Sequence, residues 1–228
     1  MSSITANLQA VRQRIAAAAR AAGRPAESVL LVAVSKTFAS AVVREGAQAG
    51  LRDFGENYVT EGVEKIRELR ALGLSWHYIG PIQSNKTRLI AEHFDWVHSI
   101  DREKIAVRLS QARGPERADL RVCIQVNVSG ESSKSGAAPG EIASLARTVA
   151  GLPGLKLRGL MAIPEATSDE RLQRERFARL RGLREELNLA GFALDTLSMG
   201  MSADLEAAIA EGATMVRVGT AIFGERTS

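Results

Sequence analysis

The sequence predicts a single α/β domain built as a closed (β/α)8 TIM barrel with an extra helix at its N-terminus. Three observations carry that expectation. Eight short apolar segments read as strands, and the first, Val29 to Val34, is too short for a helix and too uniformly apolar for a strand with one wet face, as a buried parallel strand is. Segments with apolar residues at helical spacing separate these runs, which gives the alternation of a parallel sheet with helices outside it. The Gly-x-Gly-x-x-Gly loop expected after the first strand of an open doubly wound sheet is missing, which disfavours the nearest competing architecture. The 228 residues lie within the size range of one barrel, and no linker-like stretch divides them, so residues 1–228 read as one domain.

The elements follow in order. Ile4, Leu8, Val11, Ile15 and Ala19 mark a helix, with Ser2 or Ser3 as its cap and Gly23 and Pro25 as its stop. Val29 to Val34 is the first strand. Ser40 opens a helix ending at Gly50, a short second strand runs into Phe54-Gly55-Glu56-Asn57, and Val59, Val63, Ile66 and Leu69 carry the next helix. Trp76 to Gly80 is the third strand, followed by a helix from Asn85 to His93, and Asp95 to Ile100 is the fourth. Asp101 is expected to cap a helix bearing Ile105 and Leu109, which Gly114-Pro115 breaks. Leu120 to Val128 is the fifth strand, and Pro139 suits the first position of a helix with Ile142, Leu145 and Val149. Leu155 to Ile163 is the sixth strand, Leu172 to Leu187 a long helix, and Thr196 to Gly200 the seventh strand. Ser202 is expected to cap a helix with Leu205 and Ile209, and Thr214 to Gly219 is the eighth strand. Because little chain follows it, the N-terminal helix is expected to complete the outer ring.

Composition narrows the function classes. Apolar residues make up 45% and charged residues 25%, which excludes disordered and low-complexity classes. No apolar run approaches the roughly 20 residues of a membrane span, and no apolar leader follows a basic start, so a soluble, untargeted chain is expected. The net charge of +4 is spread along the chain and aromatic residues are only 4%, so nucleic acid is not an expected partner. The single Cys123 forms no internal disulfide, which points to a reducing, cytoplasmic setting. His77, His93 and His98 have no metal-ligand spacing with it or with each other and read as structural or surface residues. Lysine is scarce, 6 against 24 arginines, so each lysine is worth locating.

Parallel barrels place their chemistry at the carboxyl ends of the strands. Lys36 follows six apolar strand residues there, where partial desolvation would expose a nucleophilic amine suited to forming an imine with an aldehyde; a lysine that snorkels to solvent is the plainer alternative. Gly200-Met201-Ser202 and Gly219-Thr220 place small residues, hydroxyls and helix starts after strands seven and eight, where barrels commonly bind phosphate; tight turns and caps are the alternative. Arg217 sits within an otherwise apolar strand and needs an acceptor, whether a ring nitrogen, a carboxylate or a phosphate, or else a buried ion-pair partner. An imine-forming lysine, a phosphate cup and a strand-borne arginine together describe a pyridoxal 5′-phosphate (PLP) site.

Several motifs carry a family resemblance. Ala33-Val34-Ser35-Lys36-Thr37, Phe54-Gly55-Glu56-Asn57-Tyr58, Trp76 to Lys86 (WHYIGPIQSNK), Ser133-Lys134-Ser135-Gly136, Arg158 to Pro164 (RGLMAIP), Ser198-Met199-Gly200-Met201-Ser202 and Met215 to Gly224 (MVRVGTAIFG) closely resemble the pyridoxal phosphate homeostasis proteins, the YggS/PROSC family, in order along nearly the whole chain. The resemblance implies a barrel like the N-terminal domain of alanine racemase, fold type III among PLP-binding proteins. It implies PLP held as an internal aldimine on Lys36, Arg217 facing the ring nitrogen, Asn57 near the ring, and Met201, Ser202, Gly219 and Thr220 holding the phosphate. It also implies a monomeric carrier without established turnover, storing PLP and delivering it to apo forms of PLP-dependent enzymes. Lys86 and Lys134, beside small hydroxyl residues near strand ends three and five, are secondary candidates for cofactor release or a second aldimine; exposed loop lysines are the alternative.

Two other classes use the same lysine: an amino-acid racemase or related fold type III enzyme, and a Schiff-base aldolase. Racemisation needs a base on each side of the cofactor plane. By the resemblance, racemases take the second from a tyrosine of the partner subunit's C-terminal domain, whereas here nine residues follow the eighth strand and Tyr58 and Tyr78 belong to barrel motifs. Negligible racemisation is therefore expected.

Overall fold

The computed structural model describes residues 3–131 and 135–225, so Lys134 lies outside the described residues. Eight strands, β1 (Leu30–Val34), β2 (Asp53–Glu56), β3 (Ser75–Tyr78), β4 (Trp96–Ile100), β5 (Leu120–Gln125), β6 (Leu155–Met161), β7 (Thr196–Ser198) and β8 (Met215–Val218), close into a barrel in that order. All neighbours are parallel, and β8 returns to β1 with Val32 opposite Arg217. The helices are α1 (Ser3–Ala21), α2 (Ser40–Gln48), α3 (Val59–Glu68), α4 (Thr87–His93), α5 (Glu103–Arg113), α6 (Ile142–Ala150), α7 (Glu170–Leu189), α8 (Leu205–Ala210) and α9 (Thr220–Phe223). Among the described residues, no helix is long and apolar enough to cross a membrane.

Most strand residues are buried, the outward ones beneath the helices and the inward ones inside the barrel, with Lys156 of β6 left exposed. Phe54, Val97, Val122, Ile124, Leu160, Leu197, Val216 and Val218 join the core shared with the helices. Leu30, Trp96, Cys123, Met161 and Met215 form a separate cluster inside the barrel. Since α9 is only one turn, α1 supplies the missing segment of the outer ring: Ile4, Leu8, Val11, Ile15 and Ala19 are buried, and the helix packs on α8 and α9.

Two expected caps are corrected. Arg102, in extended conformation, precedes α5, while Asp101 accepts from the Arg102 guanidinium at 2.6 Å. Asp204 rather than Ser202 stands at the start of α8. A cap is decided by where the backbone leaves the helical region, which residue type alone does not fix. The fifth strand is also shorter than expected, because beyond Gln125 the pairing with β6 ends and Val126 bridges to Ala137 in the following loop.

Candidate functional site

The carboxyl ends of β7, β8, β1 and β2 are consecutive around the barrel, and they carry Met201, Ser202, Arg217, Gly219, Thr220, Lys36 and Asn57. Lys36 is half-buried two residues beyond β1. The chain on each side of it is pinned. Ser35 is fully buried, and its hydroxyl donates to Glu56 Oε1 at 2.6 Å. Lys65, a buried lysine on α3, donates to the Ser35 carbonyl at 2.7 Å, to Glu56 at 2.8 Å and to Glu61 at 2.6 Å. Glu61 in turn accepts the Thr37 N–H at 2.5 Å, and Thr37 adopts a left-handed backbone with φ of 70°. Burial raises the Glu56 carboxyl above the usual range, and the Lys65 ammonium opposes that rise.

Asn57 follows β2. Its Oδ1 is buried and has no hydrogen-bond partner among the described residues, while its carbonyl accepts from the Tyr78 hydroxyl at 3.1 Å. After β7 the chain turns at Gly200, with φ of 94° and Ala208 Cβ 2.5 Å from where a side chain would begin. That position admits only glycine. The next amide, Met201 N–H, donates to Asp204 Oδ1 at 2.6 Å, and the Ser202 carbonyl accepts from Arg14 at 2.9 Å. Arg14 also pairs with Glu206, and Asn7 donates to the Ile222 carbonyl at 3.0 Å, so α1 holds both loops that follow β7 and β8.

Arg217 is the most telling of these residues. It is 3% exposed, and its side chain alternates inward with Met215 while Val216 and Val218 face the helices. Nη1 donates to Ser198 Oγ at 2.7 Å and Nη2 to the Ala162 carbonyl at 2.9 Å. No carboxylate bonds to it among the described residues, and three of its five N–H groups have no acceptor there. Burial draws it down to about 10, with Asp204 opposing, so it stays cationic at neutral pH. Gly219 then brings the end of β8 against β1, where an added Cβ would stand 3.1 Å from the Val34 carbonyl, and Thr220 opens α9. The first N–H groups of that turn precede any carbonyl that could accept within it.

Lys86 lies elsewhere. It ends the Ser84–Lys86 turn after β3, half-buried, and its ammonium makes no hydrogen bond or ion pair among the described residues. A cleft of about 890 Å³ flanks the site between the loops after β6 and β7, lined by Ile163, Glu165, Thr167, Met201 and Asp204 among others, but not by Lys36 or Arg217. Sequence reasoning missed two groups. Lys65 was detectable from its i,i+4 spacing to Glu61. His77 and His98, set aside as structural or surface residues, are fully buried inside the barrel and hydrogen-bonded to each other at 2.9 Å.

An amine, a buried cation short of acceptors and glycine-bearing loops suit a ligand that combines an aldehyde, a basic ring nitrogen and an anionic group. The donor chemistry present thus fits PLP.

Comparison with known proteins leads to the same place. Residues 6–227 match the family model for the alanine racemase N-terminal domain. A pyridoxal phosphate homeostasis protein of Pseudomonas aeruginosa is 62% identical over 226 residues, 99% of this chain and 97% of that protein. One from Escherichia coli is 53% identical over 229 residues, covering 99% of this chain and 98% of that one. PipY of Synechococcus elongatus, solved with PLP bound, superposes with a TM-score of 0.84 at 37% identity, covering 97% of this chain and 100% of PipY. An alanine racemase of Corynebacterium glutamicum shares the fold, with a TM-score of 0.67 at 19% identity over 94% of this chain and 60% of that one. With its barrel, its lysine after β1 and homeostasis-protein relatives alike over 97–98% of their length, the chain belongs to the pyridoxal phosphate homeostasis protein family, built on the alanine racemase N-terminal domain.

Proposed function

We propose that this chain, acting as one barrel domain over residues 1–228, binds PLP reversibly on Lys36 in the cytoplasm and serves as a monomeric store that delivers it to apo-enzymes. The observation that carries this reading is Arg217: a buried guanidinium with no carboxylate partner among the described residues, its spare N–H groups on the strand next to the one that leads to Lys36. When bound, PLP supplies an aldehyde that condenses with an amine, together with a ring nitrogen and a phosphate that accept hydrogen bonds. Lys36 offers the amine, Arg217 faces the ring nitrogen, Asn57 lies near the ring, and Met201, Ser202, Gly219 and Thr220 hold the phosphate. Holding the phosphate through Met201 N–H requires displacing Asp204. Lys86 and Lys134 are assigned to release rather than to the main site.

Storage without turnover is supported by two features of the chain. A cationic arginine at the ring nitrogen disfavours its protonation and weakens the electron sink that carbanion chemistry needs. A second base is also lacking among the tyrosines: the Tyr78 hydroxyl donates to the Asn57 and Pro81 carbonyls and is pushed up to about 12 by burial, and Tyr58 is exposed.

Borohydride reduction of the loaded protein, followed by digestion and mass spectrometry, tests the reading. The pyridoxyl adduct is expected on Lys36, and a main adduct on another lysine overturns it. Single amino-acid enantiomers in deuterated water are expected to keep their Cα proton and configuration; exchange and racemisation at enzyme-like rates restore the racemase assignment. Transfer to an apo-enzyme in the presence of a trap for free cofactor tests delivery.

A further inference from the structure

The barrel interior holds a file of polar side chains that ligand contact alone does not require. At the amino end, Asp53 Oδ1 lies 3.0 Å from His77 Nε2. His77 Nδ1 lies 2.9 Å from His98 Nε2, and His98 Nδ1 lies 2.7 Å from Ser198 Oγ. Ser198 Oγ is the atom that accepts from Arg217 Nη1 at 2.7 Å. His77, His98 and Ser198 are wholly buried, whereas the Asp53 side chain is 19% exposed at the amino mouth.

The two ends dictate the direction of every proton between them. A carboxylate only accepts, so His77 presents Nε2–H to Asp53, with Ser75 Oγ at 3.3 Å as a weaker second acceptor. Burial lowers the pKa of both imidazoles, that of His98 furthest because His77 and the Arg217 charge act in the same direction. Each ring is therefore neutral and carries one N–H. His77 Nδ1 is then a bare acceptor, His98 must supply its Nε2–H, and His98 Nδ1 accepts the Ser198 hydroxyl proton. A lone pair of Ser198 remains for Arg217, which only donates. Donation thus runs one way, from Arg217 through Ser198, His98 and His77 to Asp53.

We propose that Asp53, His77 and His98 are positioning residues which, acting through Ser198, fix the orientation in which the Arg217 guanidinium meets its ligand. The proposal rests on the reading of Arg217 as the partner of the PLP ring nitrogen. Reversing the file would set His98 Nδ1–H and Arg217 Nη1–H against the same Ser198 oxygen and leave the hydroxyl proton without an acceptor among the described residues. A carboxylate at one mouth of the barrel therefore biases the geometry at the other.

Nitrogen-15 spectra of histidine-labelled protein at mildly alkaline pH, without cofactor, read the tautomers directly. His77 and His98 are expected as Nε2–H forms. His93, whose Nδ1 lies 3.0 Å from the Leu89 carbonyl, is expected as the Nδ1–H form and serves as the internal contrast. Asp53→Asn is isosteric but replaces an acceptor-only carboxylate with a neutral amide that can accept or donate, so it lifts the constraint on His77 and should move both buried rings part of the way toward Nδ1–H while His93 stays unchanged. With PLP added, Asp53→Asn and Ser198→Ala should each weaken binding about tenfold, the scale of one hydrogen bond to a charged group, and shift the visible absorbance of the bound cofactor. Nδ1–H tautomers in the unsubstituted protein, or Asp53→Asn leaving tautomers and absorbance unmoved, would overturn the proposal. If the unsubstituted protein takes up no PLP on Lys36, the reading under Proposed function falls, and the tautomer measurement decides the positioning proposal alone.

Discussion

The two faces of the barrel strands obey different chemistry. Outward, Phe54, Val97, Val122, Leu160, Leu197 and Val216 meet the helices in a continuous apolar layer, where full burial of one such side chain is worth about 1.5–3 kcal/mol. Inward, His77, Trp96, His98, Cys123, Ser198 and Arg217 are buried in the barrel interior, and burial pushes the Cys123 thiol up to about 12. Polar groups there roughly repay their own desolvation and add little net stability. Residues one apart on the same strand, such as Val216 and Arg217, thus divide the work: the outer one holds the fold and the inner one shapes the site. Adjacent substitutions should therefore separate stability from binding.

The largest effect is expected in the outer layer. Phe177 on α7 is fully buried against the barrel, and Phe177→Ala should cost about 3–5 kcal/mol in denaturant unfolding while the folded fraction still takes up PLP one to one. The inner layer should give the opposite pattern. Arg217→Met removes a buried cation whose two bonds go to neutral groups, so unfolding stability should change by less than about 1 kcal/mol. PLP affinity should fall by roughly 1.5–3 kcal/mol, read by titration of the visible absorbance. A variant that loses both together would show that Arg217 belongs to the structural layer.

A pH series sharpens the contrast. His77 and His98 have native pKa values lowered by burial, against about 6.5 when unfolded. Between those values the unfolded chain binds more protons, so stability rises with pH there and falls as pH drops below about 6.5. Each histidine contributes a slope of up to about 1.4 kcal/mol per pH unit in that window. Unfolding midpoints from pH 7.5 to 5.5 should show it, Phe177→Ala should keep the slope, and His98→Asn should reduce it to the share that His77 contributes. An unchanged slope in His98→Asn would mean that the inner file is not the titrating element.

The same division explains what was legible in the sequence. The outer layer and the strand order follow from local periodicity, and Lys36 and Arg217 stand out because a charge interrupts or ends an apolar run. The inner file does not stand out. His77 and His98 sit 21 residues apart and His98 and Ser198 100 apart, so no within-element spacing links them, and only barrel closure makes them neighbours. Metal-ligand spacing was the wrong test for these histidines, because their partners are each other, a serine and a carboxylate. Lys86 shows the converse: a scarce lysine next to a small hydroxyl residue, Thr87, gives a local signal like that of Lys36 beside Ser35, yet its turn follows β3, which is not adjacent to β1.

The smallest expected effect lies at the seam between the two layers, beside Lys36. Thr37 is β-branched, yet it holds φ at 70°, a conformation that costs most residues roughly 1–2 kcal/mol. What holds it there is local: its N–H donates to Glu61, its hydroxyl donates to the Lys36 carbonyl at 2.5 Å, and Lys65 ties Glu61 to the Ser35 carbonyl on the other side. Thr37→Gly keeps the amide bond, removes the Cβ strain and loses the hydroxyl contact. Glycine's larger unfolded-state entropy offsets part of that relief, so the net gain in unfolding stability should be no more than about 1 kcal/mol. Binding should move the other way, because a residue next to the reacting amine becomes free to sample other conformations, and PLP affinity should weaken a few-fold. Stability up and affinity down would identify the strain at Thr37 as part of how the site aims Lys36. Stability falling by more than about 1 kcal/mol would show instead that the hydroxyl contact to Lys36 outweighs the backbone strain, and that this turn belongs with the outer, structural layer.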